Sequence, residues 1–153
     1  MFISTSRLLL RPLWEEDAAL ACAEDFAPEL RMLAALDLGP RGASCLVAAR
    51  TQGAPRPIGL GGFAPKGSGA CLWLQLRGEA QGHGYGREAL DALLEMAFAG
   101  LRHAWVEAHA SPETSWAHML RAAGFQAAAG GAGPLRLVRQ EWRKDATWFR
   151  AAA

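Results

Sequence analysis

Apolar residues recur every three or four positions from Leu90 to Leu101, and acidic residues occupy the opposite side of the same segment. This spacing predicts an α-helix with one buried stripe, because residues three or four apart share a helix face. Glycine occupies alternate positions just before it, at Gly82, Gly84 and Gly86. Glycine permits positive φ and close approach of a ligand, and a helix N-terminus presents unpaired N–H groups. The pattern therefore predicts a loop that binds an anion such as phosphate.

The remaining apolar pattern predicts strands and short helices separated by glycine- and proline-rich turns. The predicted strands are residues 7–13, 44–50, 58–63, 70–76 and 104–110, followed by a closing hairpin of 135–142 and 146–149 around a turn at 143–145. Besides the main helix, helices are predicted at 14–24, 28–38 and 112–122. Gly59, Gly61 and Gly62 indicate either a bulge or close backbone packing. The result is a mixed α/β (α+β) fold of six to seven strands and about four helices.

Composition narrows the class of protein. With 153 residues and 51% hydrophobic content, the chain is expected to form a single domain over residues 1–153. Sixteen basic and 15 acidic residues give a net charge of +1. No overall field then attracts the protein to nucleic acid or to an anionic membrane. We therefore expect neither as a partner.

Cys22, Cys45 and Cys71 are odd in number and far apart in apolar surroundings, which favours free thiols in a reducing compartment. No Cys/His spacing typical of zinc occurs, so no metal site is predicted. The first ten residues are interrupted by Arg7 and are too short for a signal core or a membrane span. These features predict a cytoplasmic protein.

The spacing Gln81-x-x-Gly84-x-Gly86 resembles the pyrophosphate-binding loop of the GNAT superfamily of N-acetyltransferases. Residues 81–90 are similar to the Trp-Gly-x-Gly-Tyr-x-x-Glu-Ala-Leu form of the branch that acetylates ribosomal-protein N-termini, with Gln81 in place of tryptophan. Two further segments agree with that branch, namely residues 6–13 followed by Glu16-Asp17, and Gly124-Phe125. The resemblance covers nearly the whole chain.

The resemblance implies acetyl-CoA as cofactor and a mostly antiparallel sheet splayed between the fourth and fifth predicted strands. It also implies a backbone N–H near Gln75 or Leu76 that polarises the thioester carbonyl. Residues expected by resemblance to hold the cofactor are Leu74, Gln75, Leu76, Gln81, Gly82, His83, Gly84, Tyr85, Gly86, Arg87 and Trp116. Arg77, Arg87 and Arg121 are candidates for added charge near the phosphates, or are solvated surface residues.

Three side chains usual in the family are absent. The fourth strand has no carboxylate over residues 71–75, and the Asn-x-x-Ser pattern of the following helix appears as Glu113-x-x-Trp116. The only tyrosine, Tyr85, lies in the loop. Substitute catalytic candidates are Glu107 and His109 on one strand face, and His118 on the next helix. The alternative for His109 is a structural histidine at a strand end, and His103 is interpreted as a surface turn residue.

The missing base favours an acceptor that is easily deprotonated. An α-amine with a pKa near 8 is roughly a tenth unprotonated at pH 7, whereas a lysine near 10.4 costs about 4.6 kcal/mol to deprotonate. The predicted function is therefore acetyl transfer to a peptide α-amine or a small-molecule amine of similar pKa, by a monomer or homodimer. Two alternatives stay open: a cofactor-binding module without catalysis, and a dinucleotide-binding oxidoreductase in which Glu107 follows the loop by about twenty residues.

Overall fold

The computed structural model describes residues 2–17, 19, 26, 28, 38–127 and 133–145. The strands are β1 Ile3–Ser4, β2 Leu8–Pro12, β3 Ala43–Ala49, β4 Arg56–Lys66, β5 Gly69–Leu76, β6 Trp105–Ala108, β7 Gln126–Ala127 and β8 Leu135–Val138. The helices are α1 Tyr85–Glu95, α2 Ser115–Ala122 and α3 Arg139–Asp145. A π-helical turn, Met96–Gly100, continues α1, and 3₁₀ turns form at Glu15–Asp17 and Gly78–Ala80. Most of the predicted helices at 14–24 and 28–38, and the predicted strand at 146–149, lie outside the described residues.

All eight strands form one sheet in the order β1-β2-β3-β4-β5-β6-β8-β7. Every pairing is antiparallel except that of β5 with β6, which is parallel. The mixed α/β fold and the mostly antiparallel sheet are therefore confirmed. The described residues contain one strand beyond the predicted maximum and three α-helices, since β1 and β7 are two-residue strands too short to show a period.

Two layers of side chains cover the sheet. On one face, Leu93 of α1 packs over Gly61, where an added Cβ would lie 3.0 Å from Leu93 Cδ1. This face carries the main core, in which Leu90 and Leu93 are fully buried. On the opposite face, Phe26, Leu46 and Leu60 form a smaller buried cluster. The periodic stripe of α1 thus predicted its buried side correctly.

Both interpretations of the β4 glycines hold, at different residues. Val47 pairs with Gly59 and Ala48 with Pro57, so Ile58 is an extra residue in a bulge. At Gly62 an added Cβ would lie 2.6 Å from the Trp73 ring, so only glycine admits the indole there.

Two sequence interpretations are wrong. The strand predicted over residues 135–142 ends at Val138, and the predicted turn at 143–145 belongs to α3. The helix brings the ring of Trp142 to 5.3 Å from that of Phe98, a tertiary contact that outweighs strand propensity. His103 is fully buried rather than a surface turn residue. Of the cysteines, Cys45 is buried and Cys71 is half-buried, both as free thiols, while Cys22 lies outside the described residues.

Candidate active site

The parallel pair β5–β6 opens into a gap. The two strands are in register at Ala70–Val106 and Cys71–Glu107 only. Beyond these pairs, residues 72–76 of β5 continue to pair with β4 and have no partner in the described part of β6. The edge of β5 that faces the gap is thus available to an extended ligand, which is how a strand edge accepts an added chain.

Strand alternation determines which backbone groups face this gap. Arg77 N donates to Ile58 O of β4 at 2.7 Å, and Ala104 N donates to Ser68 O at 2.8 Å on the β6 side. Because successive residues direct their N–H and C=O groups to opposite sides, odd-numbered residues of β5 face β4 and even-numbered residues face β6. The N–H groups of Leu74 and Leu76 therefore point toward the gap, whereas that of Gln75 points toward β4.

The glycine loop stands at the end of this gap and opens α1. Gly84 is the N-cap of α1 with φ 79°, and Gly82 has φ 81°. These left-handed conformations explain why glycine occupies both positions. Gln81 Nε2 donates to Leu76 O at 3.2 Å, a carbonyl on the gap side of β5. The loop, the N-terminus of α1 and the β5 edge are thereby held together.

A clamp that the sequence did not reveal holds the loop from the N-terminal turn. Arg7 Nη1 donates to His83 O at 2.8 Å, and Arg7 Nε donates to Glu88 Oε2 at 2.7 Å. The Arg7 guanidinium lies 4.7 Å from the centre of the Tyr85 ring. Glu88 also accepts from the Thr5 hydroxyl and, at 2.9 Å, from Arg7 N. Residues 7 and 88 are 81 positions apart, so no spacing signal connects them.

Charge around Glu88 is balanced by this clamp. Burial alone raises the pKa of Glu88, but hydrogen bonds from Thr5 and Arg7 outweigh it and hold the pKa below its ordinary value. A carboxylate in the first turn of α1 repels an incoming anion. The positive charge of Arg7 offsets that repulsion while it fixes the loop carbonyl.

Glu107 is held in an ion-pair cluster. Its side chain is 3% exposed, Lys66 Nζ lies 3.1 Å from Oε2, and Arg136 donates to Oε1 through Nε at 3.2 Å and through Nη2. The hydrogen bond from Arg136, followed by that from Lys66, lowers the pKa of Glu107 despite its burial. A carboxylate with a lowered pKa and two cationic partners is a weak proton acceptor. This geometry favours a structural role for Glu107.

Within the described part of the chain, the hydrogen-bond partners of Glu107 are Lys66 and Arg136, and neither candidate histidine is among them. His109 is exposed beyond the end of β6, and its carbonyl accepts from Trp116 Nε1 at 3.1 Å. His118 is exposed on α2. Trp116 is half-buried and ties α2 to the end of β6, on the far side of the gap from β5.

Two of the three predicted arginines have acidic neighbours, and so the charge that they offer to a phosphate is partly neutralised. Arg87 pairs with Asp91 at 3.1 Å, Arg77 lies 3.7 Å from Glu79, and Arg121 is exposed.

His103 contacts Arg41 twice, through Nε2 to its carbonyl at 2.8 Å and through Nδ1 to its guanidinium at 3.3 Å. Burial lowers the pKa of His103, and the two contacts together fit the neutral tautomer, in which Nε2–H donates to the carbonyl and Nδ1 accepts from the guanidinium. Within the described ranges, no group of three or more His, Cys, Asp or Glu side chains is placed to hold a metal ion.

Comparison with known proteins identifies the family. The sequence model of the Acetyltransferase (GNAT) family matches residues 9–125. The chain belongs to the GNAT acetyltransferase family. The splayed sheet of this GNAT protein is the one that the family resemblance implied, and its glycine loop opens α1 as the sequence pattern predicted. No curated protein matches the chain.

Solved structures share the fold. A chimera of the Vibrio cholerae spermidine N-acetyltransferase SpeG with hSSAT has a TM-score of 0.73 at 18% identity, over 91% of this chain and 99% of the other. A provisionally named ribosomal-protein-serine acetyltransferase from Vibrio cholerae gives 0.65 at 18%, over 90% and 97%. A GNAT-family acetyltransferase from Bacillus anthracis gives 0.70 at 18%, over 92% and 100%. At these identities the likeness concerns the fold.

The sheet topology and the family match exclude one of the two predicted alternatives, the dinucleotide-binding oxidoreductase. A dinucleotide-binding oxidoreductase carries its glycine loop in a mostly parallel sheet, in which the strand before the loop has parallel neighbours on both sides. Here β5, the strand before the loop, pairs antiparallel with β4 along its whole length. The oxidoreductase alternative therefore fails. No helix in the described part of the chain is long and apolar enough to cross a membrane.

Proposed function

We propose that this GNAT protein is an acetyl-CoA-dependent N-acetyltransferase that acetylates a primary amine by direct attack within a ternary complex. The observation that carries the proposal is the open β5 edge next to the glycine loop. A thioester cofactor with a diphosphate and an extended arm needs such a pair of sites, one of N–H groups at a helix start and one strand edge.

The residues present fit that cofactor. Backbone N–H groups of the loop residues His83, Gly84, Tyr85, Gly86 and Arg87 hold the diphosphate, and residues 74–76 pair with the extended arm. Bound acetyl-CoA supplies an activated acetyl group as a thioester. Of the two positions predicted for the carbonyl-polarising donor, alternation favours Leu76 N over Gln75 N, because only the former faces the gap. Removing one such donor typically costs about a hundredfold or more in rate.

The side chains that could accept a proton at the gap determine which class of amine is acetylated. Glu107 is an ion-paired carboxylate, and His109 and His118 are exposed, so no described side chain is an evident strong base at the gap. An amine that is already partly neutral near pH 7 suits such a site best, because it depends least on a protein base for deprotonation. The acceptor is accordingly a peptide α-amine or a small amine of similarly low pKa, in preference to lysine.

A thiol-release assay with acetyl-CoA and an acceptor panel tests the proposal. The panel contains a peptide with a free N-terminus, an amino-acid amide, spermidine and an N-acetylated peptide whose only amine is lysine. We expect thiol release with the first two and much slower release with the lysine peptide. Calorimetric binding of coenzyme A without thiol release for any amine would instead support the binding-module alternative.

A further inference from the structure

A methionine of α2 lies where the two parts of the proposed cofactor site meet. An added Cβ at Gly86, in the first turn of α1, would lie 2.8 Å from Met119 Cε, 3.5 Å from its Sδ and 3.8 Å from Leu76 Cδ1. Leu76 is the last residue of the β5 edge, whereas Trp116 ties α2 to the end of β6. The Met119 side chain therefore reaches across the end of the gap and rests on the start of α1.

The missing side chain of Gly86 serves this close approach and not a special backbone conformation. Gly82 and Gly84 have positive φ, at 81° and 79°, whereas Gly86 does not. Its helical conformation is open to any residue, but an alanine methyl at this position would push the Met119 methyl group aside. Glycine thus leaves room over the start of α1, and Met119 fills that room.

The backbone of α2 is anchored, so movement at this contact falls to the Met119 side chain. Thr114 caps the helix, with its hydroxyl accepting from Ala117 N at 3.1 Å, and Leu120 is fully buried. Met119 is half-buried, and methionine is unbranched with three rotatable bonds. The side chain can therefore turn away from Gly86 while α2 stays in place.

We propose that Met119 is a gate that controls entry of the cofactor. With its methyl group on Gly86, the gate is closed and covers the junction of the loop and the β5 edge. An extended arm that runs from a diphosphate at the loop to the β5 edge must cross this junction, so Met119 turns away when acetyl-CoA binds. The inference rests on the proposed function and adds a residue that sets the rate of cofactor binding.

Stopped-flow tryptophan fluorescence with acetyl-CoA tests the gate on the full chain, on Met119→Ala and on Met119→Leu. Met119→Ala removes the atoms that cover Gly86, so the association rate constant should rise by about three- to tenfold, as for a gate open about a tenth to a third of the time. The dissociation rate constant should change little, so the Kd should fall by the same factor. Met119→Leu keeps a side chain of similar volume, and its association rate constant should stay within about twofold of the unmodified value.

NMR of the methionine methyl groups supplies a measurement on the unmodified protein, which decides if Met119→Ala fails to fold. A nuclear Overhauser effect between the Met119 methyl group and the Gly86 α-protons should be present without ligand and lost under saturating acetyl-CoA. Met96 is the matched control, because it is 2% exposed within the main core and should keep its contacts.

The outcomes separate the gate from the proposed function. An unaltered or slower association in a folded Met119→Ala, equally fast association in Met119→Leu, or an Overhauser effect that persists with bound acetyl-CoA overturns the gate while the proposed function stands. Failure of the unmodified protein to bind acetyl-CoA overturns the proposed function, and the gate with it.

Discussion

Replacing Arg7 by glutamine removes the guanidinium that joins the N-terminal turn to the glycine loop. The lost contacts are the 2.8 Å hydrogen bond to His83 O, the 2.7 Å ion pair with Glu88 and the stacking on Tyr85. The Arg7 side chain is 46% exposed, so solvent screens the ion pair to less than about 1 kcal/mol. The hydrogen bond contributes about 1 kcal/mol and the stacking about 0.5–1 kcal/mol.

These contributions overlap, so we expect the free energy of unfolding to fall by about 1–2 kcal/mol. Because the same contacts fix the loop, Arg7→Gln should also weaken acetyl-CoA binding by about three- to tenfold, which corresponds to roughly 1 kcal/mol. Thermal unfolding measures the first effect, and isothermal titration calorimetry with acetyl-CoA measures the second.

Arg50→Gln is the matched control for this prediction. Arg50 contacts the same N-terminal turn, through Thr5 O at 2.8 Å and Ser4 Oγ at 3.3 Å, and none of its described contacts is with the loop. It should lower stability with little change in acetyl-CoA affinity. Equal loss of affinity in both variants, or a destabilised Arg7→Gln that binds acetyl-CoA normally, would refute the view that Arg7 positions the loop.

Three further predictions follow from the same structure. Glu107→Gln should lower the free energy of unfolding by about 1–3 kcal/mol, because Lys66 and Arg136 lose their shared carboxylate. The variant should leave unchanged the pH at which kcat/KM is half-maximal. A shift of that pH would indicate that Glu107 acts as a base. Folding lowers the pKa of His103, so the contribution of the neutral imidazole to stability is present above the unfolded pKa near 6.5 and is lost as pH falls from there toward the folded pKa. His103→Gln should remove this pH dependence of the free energy of unfolding, measured by denaturant titration at several pH values. An unaltered pH dependence in the variant would contradict the prediction. Gly84→Ala places a Cβ at φ 79° and 3.2 Å from Arg7 Nη2, so stability should fall by about 1–2 kcal/mol with weaker acetyl-CoA binding, and normal values of both would count against a strained loop.

Local pattern was sufficient for the elements that build the cofactor site. The helical stripe through Leu90 and Leu93 predicted α1, and alternate glycines predicted the loop before it. Both features are formed by residues close in sequence, so the spacing of apolar residues and the positions of the glycines are sufficient to predict them. The family resemblance then supplied the gap, which the β5–β6 register confirms.

Tertiary contacts decided the features that sequence could not predict. His103 follows a helix in polar surroundings, but it is buried and hydrogen-bonded to Arg41, sixty-two positions earlier. Glu107 and His109 share a strand pattern, yet the ion pairs to Lys66 and Arg136 engage one and the end of β6 exposes the other. Pairings at such separations leave no periodic signal.

The central claim is that the β5 edge and the glycine loop together hold acetyl-CoA. Amide hydrogen exchange, measured residue by residue by NMR with and without acetyl-CoA, tests it most directly. We predict that binding protects the N–H groups of Leu74, Leu76 and the loop residues 83–87, whereas Gln75, whose N–H faces β4, changes little. Absence of protection at Leu74, Leu76 and the loop under saturating acetyl-CoA, or protection confined to other parts of the chain, would contradict the account.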